Sequence, residues 1–103
     1  MHATIRRYEG VDASRTNELT RKVGESLVPK LRELDGFSGY YLIEAGNGVL
    51  TSFGLFKNPM QVDEASKVAA SWVKSEGLES ALPNEPRITT GKVVAHENGI
   101  AVA

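Results

Sequence analysis

The sequence predicts an α+β fold, a four-stranded antiparallel sheet with two helices, read along the chain as strand, helix, strand, strand, helix, strand. Three observations predict it. Gly46-Asn47-Gly48 lies between two apolar runs, and Asn-Gly in that setting is the strongest short-range hairpin signal. On either side of this hairpin, apolar residues recur every three or four positions, the period of a helix that buries one face. The outermost segments are short and carry strand-compatible side chains.

Residues 2–9, with Thr4, Ile5 and Tyr8, form the first strand and stop at Gly10. Asp12 or Ser14 can then cap a helix whose buried stripe is Leu19, Val23, Leu27, Leu31 and Leu34. Pro29 lacks an N–H and collides with the preceding turn, so a kink is expected there, helped by the weak helix former Gly24. Residues 37–45 and 49–57 are the hairpin strands. A two-residue turn at either Gly46-Asn47 or Asn47-Gly48 puts Tyr40, Leu42, Glu44, Val49, Thr51, Phe53 and Leu55 on one face, with Tyr41, Ile43, Ala45, Leu50, Ser52 and Phe56 on the other. Asn58 caps the second helix, with Pro59 at its first position. Val62, Ala65, Val68, Ala69, Trp72 and Val73 are its apolar face, and Gly77 ends it. One further turn at 78–82 fits before Pro83 and Pro86. Residues 87–97 are the fourth strand, so the domain spans 1–97, and 98–103 form a tail or arm.

A chain of 103 residues and 11.1 kDa holds one domain, and burying roughly two-thirds of its unfolded surface gives it a core. Twelve basic against thirteen acidic residues leave a net charge of -1, which removes the positive field needed to track phosphates, so nucleic acid is not an expected partner. The absence of cysteine excludes disulfides, thiolate catalysis and cysteine-based metal sites, and fits a reducing cytoplasm. No apolar run is long enough for a membrane span or a signal-peptide core.

The predicted order is the split βαβ arrangement of ferredoxin-like domains, in which both helices cover one face of the sheet. The hairpin strands are apolar on both faces, so a monomer would leave a patch larger than soluble monomers usually expose. A second copy, packed sheet to sheet about a two-fold axis, is the expected cover. The residues also resemble the antibiotic biosynthesis monooxygenase-like group of dimeric α/β-barrel proteins. Ile5-Arg6-Arg7-Tyr8, Leu31-Arg32-Glu33 leading into Gly36-Phe37-Ser38-Gly39-Tyr40-Tyr41, the Gly46-Asn47-Gly48 hairpin and Phe56-Lys57-Asn58 carry the resemblance. It implies a homodimeric barrel. It also implies a choice of chemistries, since that group includes cofactor-independent monooxygenases that oxidise polycyclic phenols to quinones, haem-degrading enzymes and isomerases.

The haem-degrading branch is expected to take a histidine ligand from the second helix, and here that helix has none. His2, at a terminus expected to fray, and His96, late in the last strand, make no metal site, so neither metal nor cofactor is expected. No paired-acid, H-x-x-E or G-x-S-x-G pattern is present, and Gly46-Asn47-Gly48 leads into a strand and reads as a turn. An aromatic and hydroxyl set remains. Trp72, Tyr40, Phe53, Tyr8 and Arg6 are the candidate substrate-binding residues, with Tyr41, Thr51, Ser52 and Arg7 beside them. Cofactor-free oxygenation of a phenol asks for hydrogen-bond donors, a cation or a base in a dry apolar cleft, and these residues offer the first two. Trp72 reads equally well as core between the second helix and the sheet. Adjacent strand residues face opposite ways, so at most one of Tyr40 and Tyr41 lines a pocket, and an inward-facing arginine needs a partner such as Glu44 or a bound anion. The expectation is a cytoplasmic homodimer that binds a small aromatic or apolar molecule between the second helix and the sheet. Cofactor-independent oxidation of a phenol is the activity that the resemblance implies. A non-catalytic ligand-binding or stress-associated protein is the alternative.

Overall fold

A computed structural model describes residues 1–97 of the chain; the tail at 98–103 lies outside the described residues. The strands β1 (His2–Tyr8), β2 (Phe37–Gly46), β3 (Val49–Phe56) and β4 (Arg87–Lys92) form one sheet in the order β2-β3-β1-β4, every neighbouring pair antiparallel. This is the ferredoxin-like order.

Between β1 and β2 the chain enters helix through a short 3₁₀ turn, Ala13–Arg15, capped by Asp12, whose side chain accepts from the Ser14 N–H at 3.0 Å. It then runs through α1 (Thr16–Lys22), a π-helical stretch Val23–Leu27 and α2 (Val28–Arg32). The π stretch explains why the buried residues Leu19, Val23, Leu27 and Leu31 can repeat every four positions. In an ideal α-helix such a repeat drifts about 40° around the axis at each step, and one wide turn, in which Val28 donates to the Val23 carbonyl, offsets the drift. Pro29 therefore falls in the first turn of α2, where its missing N–H is tolerated. The irregularity expected at Pro29 takes the form of this π turn just before it.

Asn58 caps α3 (Pro59–Ser75) by accepting from the Met60 and Gln61 N–H groups, and Gly77, at φ +65°, follows its end. Leu78 and Ala81 are fully buried in the turn that follows. The core lies between the helices and one face of the sheet. There Phe56 is sealed from solvent and meets Phe37 edge-on, with ring centroids 5.8 Å apart.

The hairpin turn is Asn47-Gly48, both residues at positive φ, and Gly46 pairs with Val49 as the turn requires. The faces, however, are the reverse of the pairing predicted from the turn. Glu44 pairs with Leu50, so Ala45 is a bulge, and one extra residue switches every side chain beyond it to the other face. Tyr40 lies opposite Gly54 and Leu42 opposite Ser52, on the helix side. Tyr41 lies opposite Phe53 and Ile43 opposite Thr51, on the side without helices. A second bulge between Phe37 and Gly39 turns Phe37 back toward the core.

β1 and β4 also differ from expectation. His2 is paired on both sides, with Phe56 and Lys92, and is not a frayed end. β4 stops at Lys92 and does not reach 97; Lys92 pairs with His2, and the Met1 carbonyl accepts from the Val93 N–H at 2.9 Å. His96 is thus outside the strand and exposed.

Candidate functional site

The alternation of β1 sends Thr4, Arg6 and Tyr8 to the helix side, and Arg7 outward. Across the register, Arg6 meets Ser52, while Gly54 sits between Thr4 on β1 and Tyr40 on β2. Gly54 leaves the sheet floor open. A Cβ there would lie 3.2 Å from the Phe56 ring and 3.3 Å from the Thr4 methyl.

Above this floor is a cavity of about 50 Å³, roofed by Leu19, Leu27 and Leu31 of the first helical rod and by Ala65, Ala69 and Trp72 of α3. It adjoins a wider hollow of about 420 Å³ between α3, the 79–86 loop and β4. Arg6, Tyr8, Val73 and Leu82 line both. The inner space holds a few waters but is smaller than a benzene-sized cavity, so an aromatic guest occupies the outer hollow or widens the inner one.

Arg6 is only 7% exposed. Its Nη2 donates to the Ser66 carbonyl of α3 at 2.9 Å, and among the described residues no carboxylate pairs with it; the ion pairs involve Arg7, Arg15, Arg21 and Lys22. Glu44, the carboxylate expected for an inward arginine, is exposed at the hairpin end opposite Leu50. Burial pushes the Tyr40 hydroxyl up to about 12, a rise that Tyr8 reinforces and that a hydrogen bond with Ser52 and the Arg6 charge oppose. Tyr40 is therefore neutral at physiological pH and able to donate. The Thr4 hydroxyl is buried without a hydrogen-bond partner.

Four of the five expected binding residues, Trp72, Tyr40, Tyr8 and Arg6, come together around this cavity. Phe53 does not. The Ala45 bulge places it on the opposite face, beside Tyr41. The Trp72 indole is a core side chain, 4% exposed, that also forms a wall of the cavity. Its N–H is not free for a ligand, since it donates to the Ser26 hydroxyl at 2.9 Å. Thr4 and Gly54 were missed. Thr4 shares the strand parity of Arg6 and Tyr8, and that signal could have found it. Ser26 and Ser66 act through helix-to-helix and helix-to-sheet contacts, for which the sequence holds no signal.

The arrangement can hold an oxyanion. A fixed cation and the hydroxyls of Thr4, Tyr40 and Ser52 face an apolar space, where such donors act more strongly than in water. No histidine, aspartate or glutamate lines the inner cavity, so the site offers stabilisation of negative charge and no carboxylate or imidazole base. Among the described residues no cluster of histidine or acidic side chains could hold a metal ion, and no helix is long and apolar enough to cross a membrane.

No protein-family model matches the sequence, and no curated protein matches it. Solved structures do match its fold. A Nitrosomonas europaea protein of unknown function, NE2512, superposes with a TM-score of 0.75 at 16% identity, covering 97% of this chain and 95% of its own. The ActVA-Orf6 monooxygenase of Streptomyces coelicolor, solved with nanaomycin D, gives 0.72 at 13% identity over 96% and 92% of the two chains. An antibiotic biosynthesis monooxygenase gives 0.69 at 12% identity over 92% and 100%. The ferredoxin-like fold of the antibiotic biosynthesis monooxygenases, recognised in the residues, is the fold of this chain.

Proposed function

We propose that the protein is a cytoplasmic homodimer that binds a small aromatic molecule between α3 and the sheet and oxidises a phenolic substrate with molecular oxygen, without metal or cofactor. The observation that carries this reading is the buried Arg6 guanidinium beside the neutral Tyr40 hydroxyl in an otherwise apolar cavity. Oxidation of an anthrone-type methylene gives a ketone and water: one dioxygen accepts four electrons, one of its oxygens enters the product and the other leaves as water. The reaction begins from the ionised substrate, and Tyr40 and Ser52 would hold the oxyanion within the field of the Arg6 charge, while Trp72 and Tyr8 would pack against the ring. Likeness of fold to monooxygenases, one of them complexed with a small organic molecule, supports the reading.

The dimer belongs to the same proposal. On the helix-free face, Ile5, Phe53 and Leu55 stand beside Tyr41 and Ile43, which are 61% and 49% exposed. A second copy packed there would cover them.

The narrow inner cavity favours a second reading, a binding protein without turnover. Oxygen uptake with anthrones and dihydronaphthoquinones in metal-free buffer separates the two. Uptake of one dioxygen per ketone formed, without added cofactor, is the expected result. Saturable binding with no uptake on any compound rejects the oxygenase and leaves the binding protein.

A further inference from the structure

We infer that the natural ligand is an aromatic carboxylate whose carboxylate group lies against Arg6. The inference rests on the reading of the cavity as a ligand site and adds the class of ligand. A guanidinium cannot shed its proton in a protein, so its burial must be compensated by a fixed negative charge or borne as a cost. Glu44 is solvent-exposed at the hairpin end, and among the described residues no carboxylate forms an ion pair with Arg6, so an anion from outside the chain would supply the compensation. One hydrogen bond, to the Ser66 carbonyl, uses one of the five N–H donors. The remaining four still include one pair that can meet the two oxygens of a carboxylate side by side.

The charge must also be present at neutral pH. A carboxylic acid with a pKa of about 4 is ionised there, whereas a simple phenol with a pKa of about 10 is not. The second orphan in the cavity, the buried Thr4 hydroxyl, lies one inward position along β1 from Arg6 and offers a further donor to a ligand oxygen. The way in is consistent with a ring that carries one charged end. The outer hollow has apolar walls at Val73, Leu82, Pro83 and Ile88, and Arg6 lines both it and the inner cavity. Lys74, Glu79 and Glu85 also line that hollow, and their mixed signs leave Arg6 as the buried cation that selects charge.

The test is isothermal calorimetry of the full chain with three probes of matched ring, naphthoate, naphthamide and naphthol, on wild type, Arg6→Met and Arg6→Lys. Wild type is expected to bind naphthoate about 10- to 100-fold more tightly than the amide or the alcohol, the span of a charge-assisted pair. Arg6→Met should lose that preference while still binding naphthamide, and Arg6→Lys should keep part of it. Equal binding of the three by wild type overturns the carboxylate inference and leaves the cavity a ligand site. Preference for naphthol overturns it in favour of a phenolate. Binding of none of the three removes the ligand site and the inference with it. The comparison among probes on wild type stands even if Arg6→Met does not fold.

Discussion

Replacing Arg6 by methionine should make the protein more stable. The guanidinium is 7% exposed, faces an apolar cavity and has no carboxylate partner among the described residues. Withdrawing such an ion from water costs several kcal/mol even after relaxation. Against this stands one charge-assisted hydrogen bond to the Ser66 carbonyl, which contributes about 1.5–3 kcal/mol. Methionine fills the space of the arginine stem with an unbranched apolar chain, and its loss of the donor leaves the Ser66 carbonyl in helical surroundings within α3. The net expectation is a gain of about 1–3 kcal/mol, the range found when buried charges give way to packed apolar groups. In a domain of this length each kcal/mol moves the melting temperature by about 4–8 °C. Urea unfolding followed by Trp72 fluorescence and by circular dichroism, at one fixed protein concentration, measures it. A loss of 1 kcal/mol or more would refute the reasoning. It would mean that the arginine is satisfied within the fold, and the case for an external anion would fall with it.

Tyr40 sets an alkaline limit. Its hydroxyl is raised in the folded protein to about 12, so it contributes stability that is full below the ordinary tyrosine value near 10 and is lost as pH rises from there through 12, about 2–3 kcal/mol in all. Spectrophotometric titration should find a late-ionising component that Tyr40→Phe removes; its absence from the wild-type curve would contradict the burial. Gly54→Ala puts a methyl 3.2 Å from the Phe56 ring and 3.3 Å from the Thr4 methyl, so stability should fall by about 1–3 kcal/mol and naphthoate should bind more weakly in calorimetry. Ser26→Ala strands the buried Trp72 N–H at a cost of about 1–3 kcal/mol, readable as a lower urea midpoint with a shifted indole emission. For the dimer, light scattering of wild type should give twice 11.1 kDa, and Tyr41→Glu, which buries a charge if the helix-free face is an interface, should give a monomer. A monomeric wild type would reject the interface.

What the sequence disclosed and what it hid differ in physical kind. Each element follows from local chemistry: the cap at Asn58, positive φ at Asn47 and Gly48, and apolar residues at helical spacing. From the order of those elements the sheet follows, because antiparallel neighbours with short connections leave few topologies. On β1 an uninterrupted alternation separates Arg6 from Arg7, and the structure keeps that separation. The hairpin is different, because strand parity is counted outward from the turn and a single unpaired residue inverts it. Nothing about Ala45 marks it as a bulge, being neither glycine nor unusual in backbone sign. With that one residue counted as paired, Phe53 joins Tyr40 beneath the helices. With it unpaired, Ser52 and Gly54 take that place. The consequence reaches the chemistry: the floor of the cavity changes from an aromatic ring to a hydroxyl and an open glycine, which adds room and the Ser52 donor next to Arg6.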